Sequence, residues 1–212
     1  INLAEKHYPK LIPHLSTCRS PQAMMGALVK KHFAKKIGKD PRDIVNVSIM
    51  PCVAKKDEIC RPQLAFKVKA DGKEVLVQET DYVLTTRELA ALIKSEEVSF
   101  AALPEQDYDS LLGESTGAAA LFAVTGGVME AALRTCYGYA TGQELPSLDL
   151  KPVRGLGDDF SLVRGGIREA TIPVGDAKIK VAVAHGIKQL RQICEAVQAG
   201  DKHWNSYHFI EF

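Results

Sequence analysis

The chain has no CxxC pair, no long apolar run free of charge and no surplus of charge of either sign. Each absence closes off a class of function. Without a CxxC there is no recognisable zinc or ferredoxin motif within the chain itself. The most apolar stretch, "GAAALFAVTGGVMEAAL", is rich in Gly and Ala and interrupted by Glu130, so it falls short of a membrane span. A formal net charge of +1 and 7% aromatic content, scattered along the chain, do not build the basic, aromatic-lined face that nucleic acid requires. The first residues, "INLAEKHYPK", lack the basic-then-apolar order of a signal peptide. The cysteines number five, Cys18, Cys52, Cys60, Cys136 and Cys194, an odd and widely spaced set. They make a poor disulfide framework and suit a reducing compartment, which gives a cytoplasmic expectation.

What is present is an ordinary globular composition, 46% hydrophobic and 25% charged over 212 residues. Helix and strand patterns alternate, which predicts an α/β architecture. "NLAEKHYPKLIPHL" reads as a helix broken by prolines, and "PQAMMGALVKKHFAKK" as a helix with Pro21 in its first turn, ending near Gly38. "DIVNVSIM" has no charge in its second half and predicts a strand buried on both faces. Asp71-Gly72 within "AFKVKADGKEVLVQE" marks a hairpin. Thr85 and Glu88 have capping-box spacing ahead of a helical face of Leu89, Leu92 and Ile93, and a short strand "VSFAAL" is expected next. Further on, a helix from near Gly127 to before Gly142 precedes a hairpin, "REATIPVGDAKIKVAVAHG". The helix "IKQLRQICEAVQAG" then crosses over to "YHFIEF", which makes "KIKVAVA" and "YHFIEF" parallel neighbours.

One stretch, "VNVSIMPCVAKKDE", carries chemistry. A strand runs into Pro51 and delivers Cys52 beside Lys55 and Lys56. A thiolate binds iron or attacks an electrophile only when deprotonated, and two ammonium groups nearby favour that form and stabilise anionic ligands. The ends of strands are also where α/β folds place their sites. Read from these residues alone, an inert packed cysteine followed by solvated lysines is the commoner outcome.

The wording of the stretch adds a resemblance. "MPCVAKKDE" resembles the central motif of the catalytic domain of the [FeFe]-hydrogenases, the iron-only hydrogenases, and "STCRSPQAMMG", "DYVLTTREL", "TGGVMEAALR" and "YHFIEF" resemble further segments of that domain in the same order. The resemblance covers nearly the whole chain. It implies an α/β fold with two lobes of mostly parallel sheet flanked by helices, and an H-cluster between the lobes. That cofactor is a [4Fe–4S] cubane joined through a cysteine sulfur to a di-iron unit bearing CO, cyanide and a dithiolate.

Carried over residue by residue, the resemblance makes Cys52 a ligand of the cubane and Lys55 the lysine that contacts a cyanide of the di-iron unit. Met50, Pro51, Ser20, Pro21 and Gln22 form the wall of its pocket, and Phe122 is an apolar residue covering it. Ser16 matches a serine on the proton route, where a hydroxyl that both donates and accepts suits a relay. Read without the motif, Ser16 and Gln22 satisfy loop backbone instead. Cys60, Cys136 and Cys194 are expected to be small buried residues, Cys194 on a helix face with Leu190 and Val197. The stretch "PQLAFKVKADGKEVLVQET" is longer than usual between the lysines and "TTREL", so no role carries over to it.

The family's "TSCCPGW" motif precedes the segment resembling "INLAEKHYPKL", and its "MACPGGC" motif follows the one resembling "YHFIEF". The expectation is therefore a partial H-cluster domain over residues 1–212, inactive alone because three of four cluster cysteines lie outside it. The implied activity of the parent is reversible reduction of protons to hydrogen. Ferredoxin or NAD(P)-reducing iron–sulfur subunits are its implied electron partners, and maturation proteins install the di-iron unit. A relative used in cytosolic iron–sulfur cluster assembly, without hydrogen chemistry, is the second expectation. A plain α/β binding domain with no iron dependence is the third.

Overall fold

In the computed structural model the described residues are 1–113, 116–144, 166–174 and 177–212. They form two compact units, Ser16–Glu114 and a second made of Ile1–Leu15 with Ser115–Phe212.

The Ser16–Glu114 unit is built around one long helix and a two-stranded parallel ladder. The helix, α2, starts at Pro21–Ala27, widens to π geometry over Leu28–Phe33 and closes at Ala34–Lys36; Gly38, at φ +66°, takes the left-handed conformation beyond its end. Ser20 caps its N-terminus, accepting from the Ala23 N–H at 3.2 Å, and Pro21 occupies the first turn. Strand β1 (Val47–Ile49) pairs in parallel with β4 (Tyr82–Leu84), and the intervening β2 (Ala65–Ala70) and β3 (Lys73–Gln78) form the hairpin expected around Asp71-Gly72. Both turn residues have positive φ, 50° and 76°, matching the twist of the strands they join.

Helix α2 meets the connection between β3 and β4 at Gly26, where an added Cβ would lie 2.6 Å from Thr80 Oγ1 and 3.0 Å from the Glu79 carbonyl. Ion pairs reinforce that contact. The Glu79 carboxylate is only 1% exposed; it pairs with Arg19 and accepts from Lys31 Nζ at 2.7 Å. Lys30, 2% exposed, reaches Asp81 Oδ2 at 2.8 Å and donates to the carbonyls of Pro41 and Ile44. Buried charges persist only when paired in this way.

Two expectations change here. β1 covers three residues and is not buried on both faces: Val47 and Ile49 are 45% and 44% exposed while Ser48 turns toward α2. Successive side chains alternate across a strand, and the described residues cover only the Ser48 side. The "VSFAAL" stretch forms a 3-10 turn, Phe100–Ala102, in place of a strand.

Elsewhere in this unit, α3 (Ala54–Glu58) and α4 (Thr86–Ser95) flank the ladder. Thr85 and Glu88 form the full capping box, with Thr85 N–H to Glu88 Oε2 at 2.7 Å and Glu88 N–H to Thr85 Oγ1 at 3.2 Å.

In the other unit, α1 (Asn2–His7) runs into a 3-10 segment, Pro9–His14, as the prolines dictate. Strands β5 (Ile167–Val174) and β6 (Ala177–Ala184) form the second expected hairpin; the two residues between them lie outside those described. β7 (Phe209–Glu211) pairs in parallel with β6, as the crossover through helix α6 (Ile187–Gln198) requires. Met129 of helix α5 (Gly127–Thr141) packs with Ile172, Val181 and Val183 in one cluster, while Tyr8, Leu11 and Cys194 form another on α6 with Leu190 and Val197. At Gly127 a Cβ would meet the Leu121 carbonyl oxygen at 1.7 Å, so no side chain fits there. Glu211 accepts from the N–H groups of Gly126 (3.0 Å) and Met129 (2.6 Å), placing a carboxylate on the positive end of α5. The architecture is mixed α/β as expected, and the two hairpins contribute its antiparallel ladders.

Candidate functional site

The end of β1 leads directly to the site. After Ile49 the Met50 N–H donates to the Leu84 carbonyl at 2.8 Å, which holds the chain to β4 for one more residue before Pro51 turns it away. Cys52 follows, exposed and unbridged, and α3 begins two residues later.

The lysines of α3 diverge. Lys55 pairs with the Glu58 carboxylate one turn on, and both side chains are about four-fifths covered, at 22% and 21% exposure. Lys56 points to the opposite side, donating to the Val83 carbonyl at 3.0 Å and to Glu88 Oε1 at 3.0 Å. The sequence predicts two cations facing Cys52. The structure gives each a carboxylate of its own, because adjacent helical residues do not share a face.

The helix N-terminus at Ser20 is drawn to the same place. The Ser20 hydroxyl accepts from Ala23 N–H and donates to Glu58, so one oxygen serves as both cap and link. Two residues on, buried Gln22 accepts through Oε1 from the Ser48 hydroxyl at 2.8 Å. Two side-chain bonds, Ser20–Glu58 and Ser48–Gln22, thus join the start of α2 to the residues on either side of the Met50–Lys55 segment, Ser48 of β1 and Glu58 of α3.

Ser16 is exposed, and its Oγ accepts from the Cys18 N–H at 3.1 Å, which leaves its own proton to donate. Phe122 belongs to the other unit and is 43% exposed, after the short helical turn Ala118–Leu121.

The remaining cysteines divide. Cys194 is buried as expected, and burial, with Glu195 adding to it, pushes its thiol above the ordinary range. Cys60 and Cys136 are exposed, contrary to the sequence expectation. Cys60 follows the short α3 and donates to the Lys56 carbonyl, and Cys136, two turns along α5 from Met129, lies beyond the Met129 cluster among the described residues.

Glu58 and Ser48 are participants that sequence reasoning missed, as is the pairing of Glu88, foreseen only as a capping residue, with Lys56. The spacing of Lys55 and Glu58 signals an i,i+3 pair, but nothing in the sequence ties Glu58 to Ser20 or Ser48 to Gln22.

Glu88 supplies a pH dependence. The Lys56 ammonium first, then the Thr85 N–H and hydroxyl, lower its carboxyl to about 2. A folded-state value below the unfolded one adds stability that is present above about pH 4.5 and lost as pH falls towards 2. Urea unfolding midpoints of the parent protein should therefore drop between pH 5 and pH 3, and Glu88→Gln should shrink that drop. An equal drop in both proteins would remove Glu88 from the acid response.

Among the described residues no group of three or more His, Cys, Asp or Glu gathers to hold a metal ion. What the site offers is one open thiol, a soft donor that suits an iron–sulfur cluster, three residues before a lysine whose ammonium has donors to spare for an anionic ligand. That set fits one corner of a cysteine-ligated cluster with anionic ligands beside it.

The structure is thus an α/β fold that presents an exposed cysteine at a strand end with a paired lysine three residues on, and comparison with known proteins specifies the family. The model of the iron-only hydrogenase large subunit, C-terminal domain, matches residues 1–212, and the chain belongs to that family. It is 50% identical over 209 residues to the periplasmic [Fe] hydrogenase large subunit of Nitratidesulfovibrio vulgaris, covering 99% of this chain and 45% of that protein. The apo [FeFe]-hydrogenase of Chlamydomonas reinhardtii, in a C377H variant, superposes with a TM-score of 0.72 at 37% identity, over 99% of this chain and 55% of that one. The cytosolic iron–sulfur assembly component 3 of Pongo abelii is 32% identical over 216 residues, covering 98% of this chain and 41% of that protein. The chain therefore spans about half the length of these relatives. No helix among the described residues is long and apolar enough to cross a membrane.

Proposed function

We propose that the parent protein is an [FeFe]-hydrogenase that reduces protons to hydrogen reversibly, and that this chain forms part of the pocket for its H-cluster. The observation that carries the reading is the bonding of Ser20 and Gln22, at the start of α2, to Glu58 and Ser48, which bracket the Met50–Lys55 segment; the family resemblance assigns both stretches to one pocket. When bound, the H-cluster supplies the redox chemistry and the site at which hydrogen is made.

The chain's own residues hold and surround it. Cys52 takes one corner of the cubane, and the other ligands come from segments of the parent outside these residues. Lys55 offers its ammonium to a cyanide, a charge-assisted contact that a neutral side chain does not replace. Met50, Pro51, Ser20, Pro21 and Gln22 wall the di-iron half. Ferredoxin or an NAD(P)-reducing iron–sulfur subunit exchanges electrons with the parent, maturation proteins load it, and the unbridged cysteines favour a reducing, cytoplasmic setting.

Cluster assembly without hydrogen chemistry is the second reading, supported by the 32% identity to the assembly component; the 50% identity to a hydrogenase favours the first. The parent protein, co-produced with maturation proteins, should show CO and CN stretching bands in the infrared and evolve hydrogen from reduced methyl viologen. A cubane signal without those bands would favour assembly.

Ser16 serves as a relay between carboxylates supplied by the rest of the parent. Ser16→Ala should leave the cluster spectra intact and slow hydrogen evolution by about a hundredfold or more, the usual worth of a proton-transfer step. Normal turnover with normal spectra would take Ser16 off the proton route.

A further inference from the structure

We infer that Glu58 is a positioning residue for Lys55, setting the direction in which its ammonium faces the di-iron unit; the inference rests on the hydrogenase reading of the same site. The geometry is that of a bridge. One carboxylate oxygen of Glu58, Oε2, pairs with the Lys55 ammonium, and the other, Oε1, accepts from the Ser20 hydroxyl. Both acceptor atoms are thus committed, one on each side.

The bridge matters because α3 is too short to fix a lysine by itself. It has five residues, carries no side-chain N-cap and buries none of its members. A lysine on such a turn samples many rotamers, and its ammonium is a point charge on a flexible stem. Glu58 removes that freedom at one end. Ser20 removes it at the other, because its hydroxyl is already fixed to the start of α2 through the Ala23 N–H, and α2 packs closely on the β3–β4 connection at Gly26. A chain of contacts therefore runs from that close contact through Ser20 and Glu58 to Lys55.

The pair leaves Lys55 able to act. An ammonium has three donors, Glu58 takes one, and no second protein acceptor for Lys55 Nζ is found among the described residues. The remaining donors are available to an anionic ligand from a direction that Glu58 defines. Lys56 lacks this arrangement: its donors go to Val83 and Glu88, on the side of β4 and α4. A lysine that must meet a small ligand within hydrogen-bond distance gains from being held in place before the ligand arrives.

Two measurements on the parent protein test this. In the cofactor-free form, acylation of Lys55 by an amine-reactive ester, followed by mass spectrometry with Lys56 as internal standard, should rise several-fold in Glu58→Gln. It should rise less in Ser20→Ala, which loosens the anchor and leaves the ion pair. Unchanged Lys55 labelling in Glu58→Gln, with Lys56 also unchanged, overturns the inference whatever the cofactor proves to be. If Lys56 labelling rises as well, the variant has unfolded and Ser20→Ala decides: unchanged Lys55 labelling there overturns the inference.

In the matured form, Glu58→Gln should displace or broaden the CN stretching bands while the cubane spectrum is kept. CN bands of unchanged position, width and intensity overturn the positioning role. Absence of CO and CN bands from the unmodified parent refutes the hydrogenase reading instead, and the labelling result then stands alone on whether Glu58 holds Lys55.

Discussion

Cys52→Ala in the full parent protein is expected to abolish the [4Fe–4S] cubane, whereas Cys60→Ala, Cys136→Ala and Cys194→Ala are expected to leave it in place. The expectation rests on position and accessibility together. Cys52 stands exposed where β1 gives way to α3, the short helix that carries Lys55 and that Glu58 ties to Ser20 at the start of α2. Cys194 is buried with Tyr8 and Leu11, and its raised pKa disfavours the thiolate that iron requires. Cys60 and Cys136 are exposed, so accessibility alone does not disqualify them; Cys60 follows α3 and Cys136 lies within α5, and the family resemblance assigns a cluster role to neither. Iron content and electron paramagnetic resonance of the four variants decide the matter, and equal iron loss in all four would refute the assignment of Cys52.

Lys55→Asn carries the second large effect. The variant should keep the cubane on its cysteines but fail to retain the di-iron half, since a charged partner bonds roughly twice as strongly as a neutral one. The CO and CN bands should be lost or strongly weakened after maturation. In Lys56→Asn they should survive, because the Lys56 ammonium lies against the Val83 carbonyl and Glu88. The contrast between adjacent lysines is the informative part: a general loss of positive charge affects both variants alike, whereas a directed contact affects one. Intact bands in Lys55→Asn would mean that this lysine, with its Glu58 partner, serves the fold of α3 rather than a ligand.

The acid response of Glu88 and the Lys56 contact share a residue, so the two sets of measurements constrain each other. Loss of the Lys56–Glu88 pair in Lys56→Asn removes the main cause that lowers the Glu88 carboxyl. The flattened response between pH 5 and pH 3 expected of Glu88→Gln should then appear, in weaker form, in Lys56→Asn as well.

Much of the architecture is local, and local signals were readable. The Asp71-Gly72 hairpin, the Thr85–Glu88 capping box, Pro21 at the start of α2 and the limits of α5 at Gly127 and Gly142 all follow from rules that act over a few residues. The parallel pairing of β6 with β7 was legible too, because a strand, a helix and a second strand have few ways to close. Burial was less legible. An uncharged β1 reads as fully buried, yet the exposure of Val47 and Ile49 depends on what covers each face of a strand, which its own residues do not encode. Cys60 and Cys136 failed for the same reason.

Motif and order within the sequence determined the family and named the candidate residues Cys52, Lys55, Ser16, Ser20 and Gln22. Only the tertiary structure decided which of them touch, and through what. Glu79, Lys30, Glu58 and Ser48 are ordinary polar residues until α2 is laid against β1 and β4. Packing then brings Ser20 to Glu58 across 38 residues and Ser48 to Gln22 across 26. Hydrogen bonds and ion pairs reach only a few ångströms, so partners distant in sequence are fixed by the packing of whole elements and leave no periodic trace along the chain.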